Sequence, residues 1–141
     1  MIRLATWIVW VHLLGAMAWL GGAGTLLAAV LPVKGPDRVA VAQRAHFLTS
    51  RAMEVVVVTG VLNILLHGRE TGLIYTPGYF GMLSFKMGLL IVMAALQVWM
   101  GAAWRRGGAG EQAVRRARLA LPIQLALGAI AALLGMGLRT V

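Results

Sequence analysis

Cysteine is absent from this chain, and with it any disulfide, iron–sulfur cluster, thiolate copper site, C-type haem attachment or cysteine nucleophile. Charge is scarce as well: 12% of the residues are Asp, Glu, Lys or Arg, where a soluble domain carries about 25%. An ordinary cytosolic globule is thereby excluded. Acidic residues number 4 against 13 Lys and Arg, for a net charge of +9. Such a basic balance suits nucleic acid or lipid, but the cations sit in connectors between apolar segments. Anionic lipid headgroups are therefore the expected counter-ions, and nucleic acid is not an expected partner. Also missing are a Walker loop, an HExxH zinc motif and any nucleophile–base arrangement, which argues against hydrolysis and phosphoryl transfer. There is no convincing internal repeat and no low-complexity tail.

What is present is apolar: 60% of the 141 residues are hydrophobic. The length suits one domain over residues 1–141, and its pattern predicts an all-α, four-helix transmembrane bundle running up-down-up-down. The run from Leu4 to Leu31 holds no charge and exceeds the roughly 20 residues a helix needs to cross hydrocarbon. It is too long for a signal-peptide core and follows only a single Arg3, so it reads as a retained helix over 4–31. Pro32, Gly35 and Pro36 end it, and Asp37 is placed to cap a second helix over about 38–67. Gly68 to Gly78 reads as a loop. A third helix is expected over about 79–104, and a fourth over about 118–138 after a connector holding Arg115, Arg116 and Arg118. Pro122 then falls in the first turns of the fourth, where a missing N–H costs little.

Nine Lys and Arg lie in the first and third connectors, against Arg3, Arg69 and Arg139 on the opposite side. The positive-inside rule puts the basic segments 32–51 and 105–118 in the cytoplasm and both termini outside. The expected location is a bacterial or archaeal cytoplasmic membrane.

Polar groups inside a span are costly and face a bundle interior or a cavity, so their depth carries information. At about 1.5 Å of rise per residue, His12, Asn63 and Lys86 fall roughly 7–9 Å to the outer side of the midplane. Glu54, Gln97 and Gln124 fall roughly 4–9 Å to the cytoplasmic side. Thr59, Asn63 and His67 share one helix face, and His12, Gly15, Trp19 and Gly22 form a stripe on another. A neutral His12 suits a metal, a haem iron or a quinone, and also a plain packing bond to a carbonyl. Lys86 either snorkels outward or points inward to pair with a propionate, hold a quinone carbonyl or relay protons. Glu54 is expected to neutralise Arg51 or another cation. His67 ends its helix, as a carbonyl cap or as a second ligand separated from His12 by roughly 7 Å of depth. His46 reads as an interfacial residue without a partner. Met136 is a candidate partner for His12, with Met82 weaker, while most of the eight methionines read as packing. Trp7, Trp10, Trp99, Trp104 and Tyr79 read as aromatic belts.

The first helix reads Trp10-Val11-His12-Leu13-Leu14-Gly15 and then Trp19-Leu20-Gly21-Gly22, the second has Arg51 followed by Val58-Thr59-Gly60, and the third opens with Phe85-Lys86. In these motifs the first 100 or so residues resemble the membrane domain of the copper-resistance D (CopD) family and its small four-helix relatives. A more distant similarity is to the HemJ-type haem b proteins. The resemblance implies His12 as metal or haem ligand, Lys86 as a buried cation, and Trp19, Gly21, Gly22, Thr59 and Gly60 as packing around the pocket.

The leading expectation is a b-type haem in the outer half of the bundle, serving electron transfer or a linked redox step. His12 is then the axial ligand, His67 or Met136 stands opposite, Asn63 shares the layer, and Lys86 and Arg69 neutralise propionates. Two alternatives stay open: copper held by His12, His67 and outer methionines, or a non-catalytic accessory subunit. A quinone or redox protein, a second copy and a larger membrane complex are the partners to consider, and enzymatic activity is left open.

Overall fold

The structure, a computed structural model, describes residues 4–35, 37–70, 76–105 and 110–137. Four helices carry almost all of it: α1 (Leu4–Thr25), α2 (Arg38–Glu70), α3 (Pro77–Arg105) and α4 (Gly110–Gly137). A wide turn over Leu26–Val30 extends α1, closed by the bond from the Leu31 amide to the Leu26 carbonyl. All four are long and apolar enough to cross a membrane, and the all-α four-helix bundle expected from the pattern is the observed architecture.

Neighbouring helices run antiparallel, as the paired positions show. Gly15 lies against Val56 and Gly22 against Thr49 on α1 and α2, while Gln97 meets Gln124 on α3 and α4. The closest pairings are α1 with α2 and α3 with α4, two helical hairpins that meet along a more open seam. Glycine is needed at Gly22, where an added Cβ would stand 2.6 Å from Thr49 Cγ2. Without a side chain there, the α1 backbone comes directly onto α2.

Three boundaries differ from expectation. α2 runs on to Glu70, so Gly68, Arg69 and Glu70, expected in the loop, are helical. α3 begins at Pro77, because Thr76 accepts the Tyr79 amide on its hydroxyl and the Phe80 amide on its carbonyl. Thr76 is thus an N-cap with proline in the first helical position. α4 begins at Gly110, not near 118, so Arg115, Arg116 and Arg118 are helical. The reason is a buried stripe of Ala113, Val114, Ala117, Ala120 and Leu121 at the spacing of one helix face, which continues the span beneath the charges. Pro122 therefore lies well inside α4, not in its first turns. Asp37 does stand at the start of α2, its carbonyl accepting the Val41 amide.

Packing is uneven along the bundle axis. The end carrying the basic connectors holds the main core, with Leu26, Leu31, Met100, Trp104, Val114 and Leu121 among small alanines. Arg38 and Glu111 pair across α2 and α4 at that end. A second cluster of Trp19, Val56 and Met93 lies near the middle. Beyond it, in residues 4–14, 60–69, 76–92 and 129–135, every described residue except Gly68 is half-buried or exposed. The bundle is tight at its basic end and open at the other.

Candidate functional site

The open end holds His12. Its Nδ1 lies 3.1 Å from the Val56 carbonyl oxygen and 3.0 Å from Thr59 Oγ1. A carbonyl can only accept, so Nδ1 carries the proton. The Thr59 hydroxyl donates to the Val55 carbonyl at 2.6 Å, which leaves its oxygen free to accept from the same Nδ1–H. In the neutral ring Nε2 then keeps the lone pair, the state a metal-ligating histidine needs. Gly60 makes room for this ring: a Cβ there would stand 3.3 Å from His12 Cε1.

Lys86 reaches across from α3 to α4, its Nζ 3.0 Å from where a Cβ on Gly135 would stand. The side chain is half-buried and lies within electrostatic reach of His12. Among the described residues it has no ion pair. Asn63 stands one turn beyond Thr59 on α2, also half-buried. Of the predicted site residues, His12 and Lys86 thus come together at the open end, with Asn63 on the adjoining turn of α2.

The other two are placed differently. His67 stacks on Tyr79 with ring centroids 4.8 Å apart, joining the end of α2 to the start of α3. Seven residues of helix separate it from Gly60, about 10 Å of rise, so its backbone is well removed from the level at which His12 is held. Met136 lies on α4 directly after Gly135, and its side chain falls outside the described residues. Among the described residues no three His, Cys, Asp or Glu side chains are grouped to hold a metal ion.

A second polar group lies in the tighter half. Gln97 directs its amide nitrogen at Ser50 Oγ (2.8 Å), Thr49 Oγ1 (3.3 Å) and His46 Nδ1 (3.4 Å). Its Oε1 accepts from Gln124 Nε2 at 2.8 Å, and Gln124 also donates to the Met93 carbonyl at 3.1 Å. Gln97 and Gln124, expected at one depth with Glu54, are thus hydrogen-bonded to each other. Glu54 is not part of it: it is exposed and pairs with Arg51 at 2.6 Å, the neutralising role foreseen for it. His46 corrects the sequence reading, because it is buried and joined to Gln97 instead of lying alone at the interface. Its signal in the sequence was the stripe Ala42, His46, Thr49, Val56, a helix face masked by the neighbouring Arg44 and Arg51. Trp104 is a second correction, packed in the core with its ring centroid 6.3 Å from that of His46. Trp7, Trp10 and Trp99 are exposed as belt residues would be, with the Arg116 guanidinium 4.9 Å over the Trp99 ring.

Compared with known proteins, the chain matches no family model, no curated protein and no solved structure.

Proposed function

We propose that the chain is a small CopD-like membrane redox protein that binds haem b at the open end of its bundle, for electron transfer or a linked redox step. The observation that carries this is the locked tautomer of His12: Val56 and Thr59 accept the hydrogen bond from Nδ1–H and leave Nε2 as a ligand nitrogen. Three features of the surroundings fit the group. Side chains of the open end are not packed into a core, which leaves apolar helix faces for a flat ligand. Lys86 supplies a cation for a propionate beside His12. The described residues hold no group of three His, Cys, Asp or Glu side chains, and a porphyrin, which brings its own four nitrogens, needs none.

In this reading His12 binds and orients the iron, Gly60 and Gly135 leave the space that His12 and Lys86 occupy, and Lys86 offsets carboxylate charge. His67 or Met136 would supply a second ligand. Bound haem b supplies a one-electron iron couple tuned by its axial ligands and by burial. The basic connectors face the cytoplasm of a bacterial or archaeal cell by the positive-inside rule, which puts the His12 layer in the outer leaflet.

The test is an absorption spectrum of the purified protein, oxidised and dithionite-reduced, with metal analysis of the same sample. A Soret band with reduced α and β bands that disappears in His12→Ala is the expected result. A colourless protein carrying copper overturns it in favour of copper handling. A colourless, metal-free protein reconstituted with haemin and still lacking these bands points to an accessory subunit.

A further inference from the structure

Among the described residues, three side-chain atoms between the basic end and the middle of the bundle are buried without a protein partner: Gln124 Oε1, Trp19 Nε1 and Trp104 Nε1. Gln124 is 0% exposed, Trp19 2% and Trp104 8%. Each such atom left dry is costly, and hydrocarbon offers no substitute partner. Turning the Gln124 amide over does not help. Its two N–H groups already serve the Gln97 oxygen and the Met93 carbonyl, and the reverse orientation sets oxygen against both of those oxygens. The orphan acceptor is a property of the site.

The three atoms are chemically matched. Two indole N–H groups can only donate and the amide oxygen can only accept, so a water that accepts from an indole and donates to Gln124 satisfies both. A continuous series of side-chain contacts also links the three residues. Trp104 neighbours His46, His46 adjoins Gln97, and Gln97 holds Gln124. Gln124 binds the carbonyl of Met93, and Met93 shares a side-chain cluster with Trp19 and Val56. Val56 in turn gives its carbonyl to His12. The hydroxyls of Thr49 and Ser50 border the same series and can both donate and accept.

We propose that this series of contacts carries a proton-accessible file of internal water. The file enters the bundle at the basic end beside Trp104 and His46, is bonded to Gln124 Oε1 midway, and ends at Trp19. Buried waters make about three hydrogen bonds to groups otherwise left unpaired, and this series supplies donors and acceptors of both kinds. The function assigned to it is proton access from the basic side to the middle of the bundle. It involves neither His12 nor any cofactor, so it stands or falls apart from the haem reading.

Indole N–H exchange tests it directly. The protein in lipid nanodiscs is moved into D2O, and the Trp19 and Trp104 indole signals are followed by NMR beside the backbone amides of Ala23 and Met93. Both indoles are expected to exchange at least about a hundredfold faster than those amides, whose exchange awaits helix opening. In Gln124→Met, Trp19 should slow about tenfold with Trp104 unchanged, and Gln124→Glu, which restores an acceptor, should recover the rate. Indoles that exchange as slowly as the amides in the unaltered protein overturn the proposal, as does fast exchange at Trp104 alone. Fast exchange at Trp19 that is indifferent to folded Gln124→Met also overturns it, because water then arrives by another path. The measurement on the unaltered protein decides the matter if neither variant folds.

Discussion

At the scale of single residues, His12 is defined by what its Nδ1 touches. Two acceptors hold one proton, so removing one should not change the tautomer. In Thr59→Val the Val56 carbonyl remains, and a loss of about 1 kcal/mol of stability is expected, with ring ¹⁵N shifts still reporting a protonated Nδ1. Gly60→Ala should act more strongly on the site. Its Cβ would stand 3.3 Å from Cε1 of a ring tethered at Nδ1, so the imidazole must tilt and the same shifts should move. A protonated Nε2 in the unaltered protein would contradict the assignment. Depth along the helices was enough to group His12 with Lys86 and Gln97 with Gln124 from the sequence. It could not find His46, whose partner lies 51 positions away on α3. Periodicity reports which face a residue occupies, not which foreign helix that face meets.

Elements were legible in proportion to their apolar length. The four spans stand out because hydrocarbon demands long uncharged runs, yet the start of α4 was missed where arginines overlie a buried alanine stripe. Charge on one face does not end a helix whose other face is packed. Helix contact also separates two adjacent glycines of α1. Gly21 is exposed with nothing within 4 Å of an added Cβ, whereas Gly22 faces Thr49 Cγ2 at 2.6 Å. Thr49 is β-branched, buried and bonded to the His46 carbonyl, so it has little room to turn away. Gly21→Ala should therefore raise stability by about 0.5–1 kcal/mol through helix propensity. Gly22→Ala should lower it by about 1–3 kcal/mol through overpacking. Equilibrium unfolding in SDS–detergent mixtures reads both, and equal effects at the two positions would refute the close approach of α1 and α2.

For the molecule as a whole, orientation rests on the asymmetry of Lys and Arg, and the cysteine-free sequence makes it simple to check. Single substitutions Gly35→Cys and Thr76→Cys place a thiol in the connector before α2 and in the cap before α3, both exposed. In intact cells an impermeant maleimide should label the Thr76→Cys protein and spare Gly35→Cys until the membrane is opened. The reverse pattern would turn the bundle over. Uneven packing along the axis has a further, thermodynamic meaning. A molecule whose apolar side chains are gathered into a core at the basic end and not at the other has less to gain at the first than at the second. Any molecule that fills the open end binds the folded state alone, and mass action converts its affinity into resistance to heat, about 2.7 kcal/mol at a hundredfold excess over Kd. Melting temperature thus becomes a detector for a ligand of the open end, responding to porphyrin, copper or quinone alike.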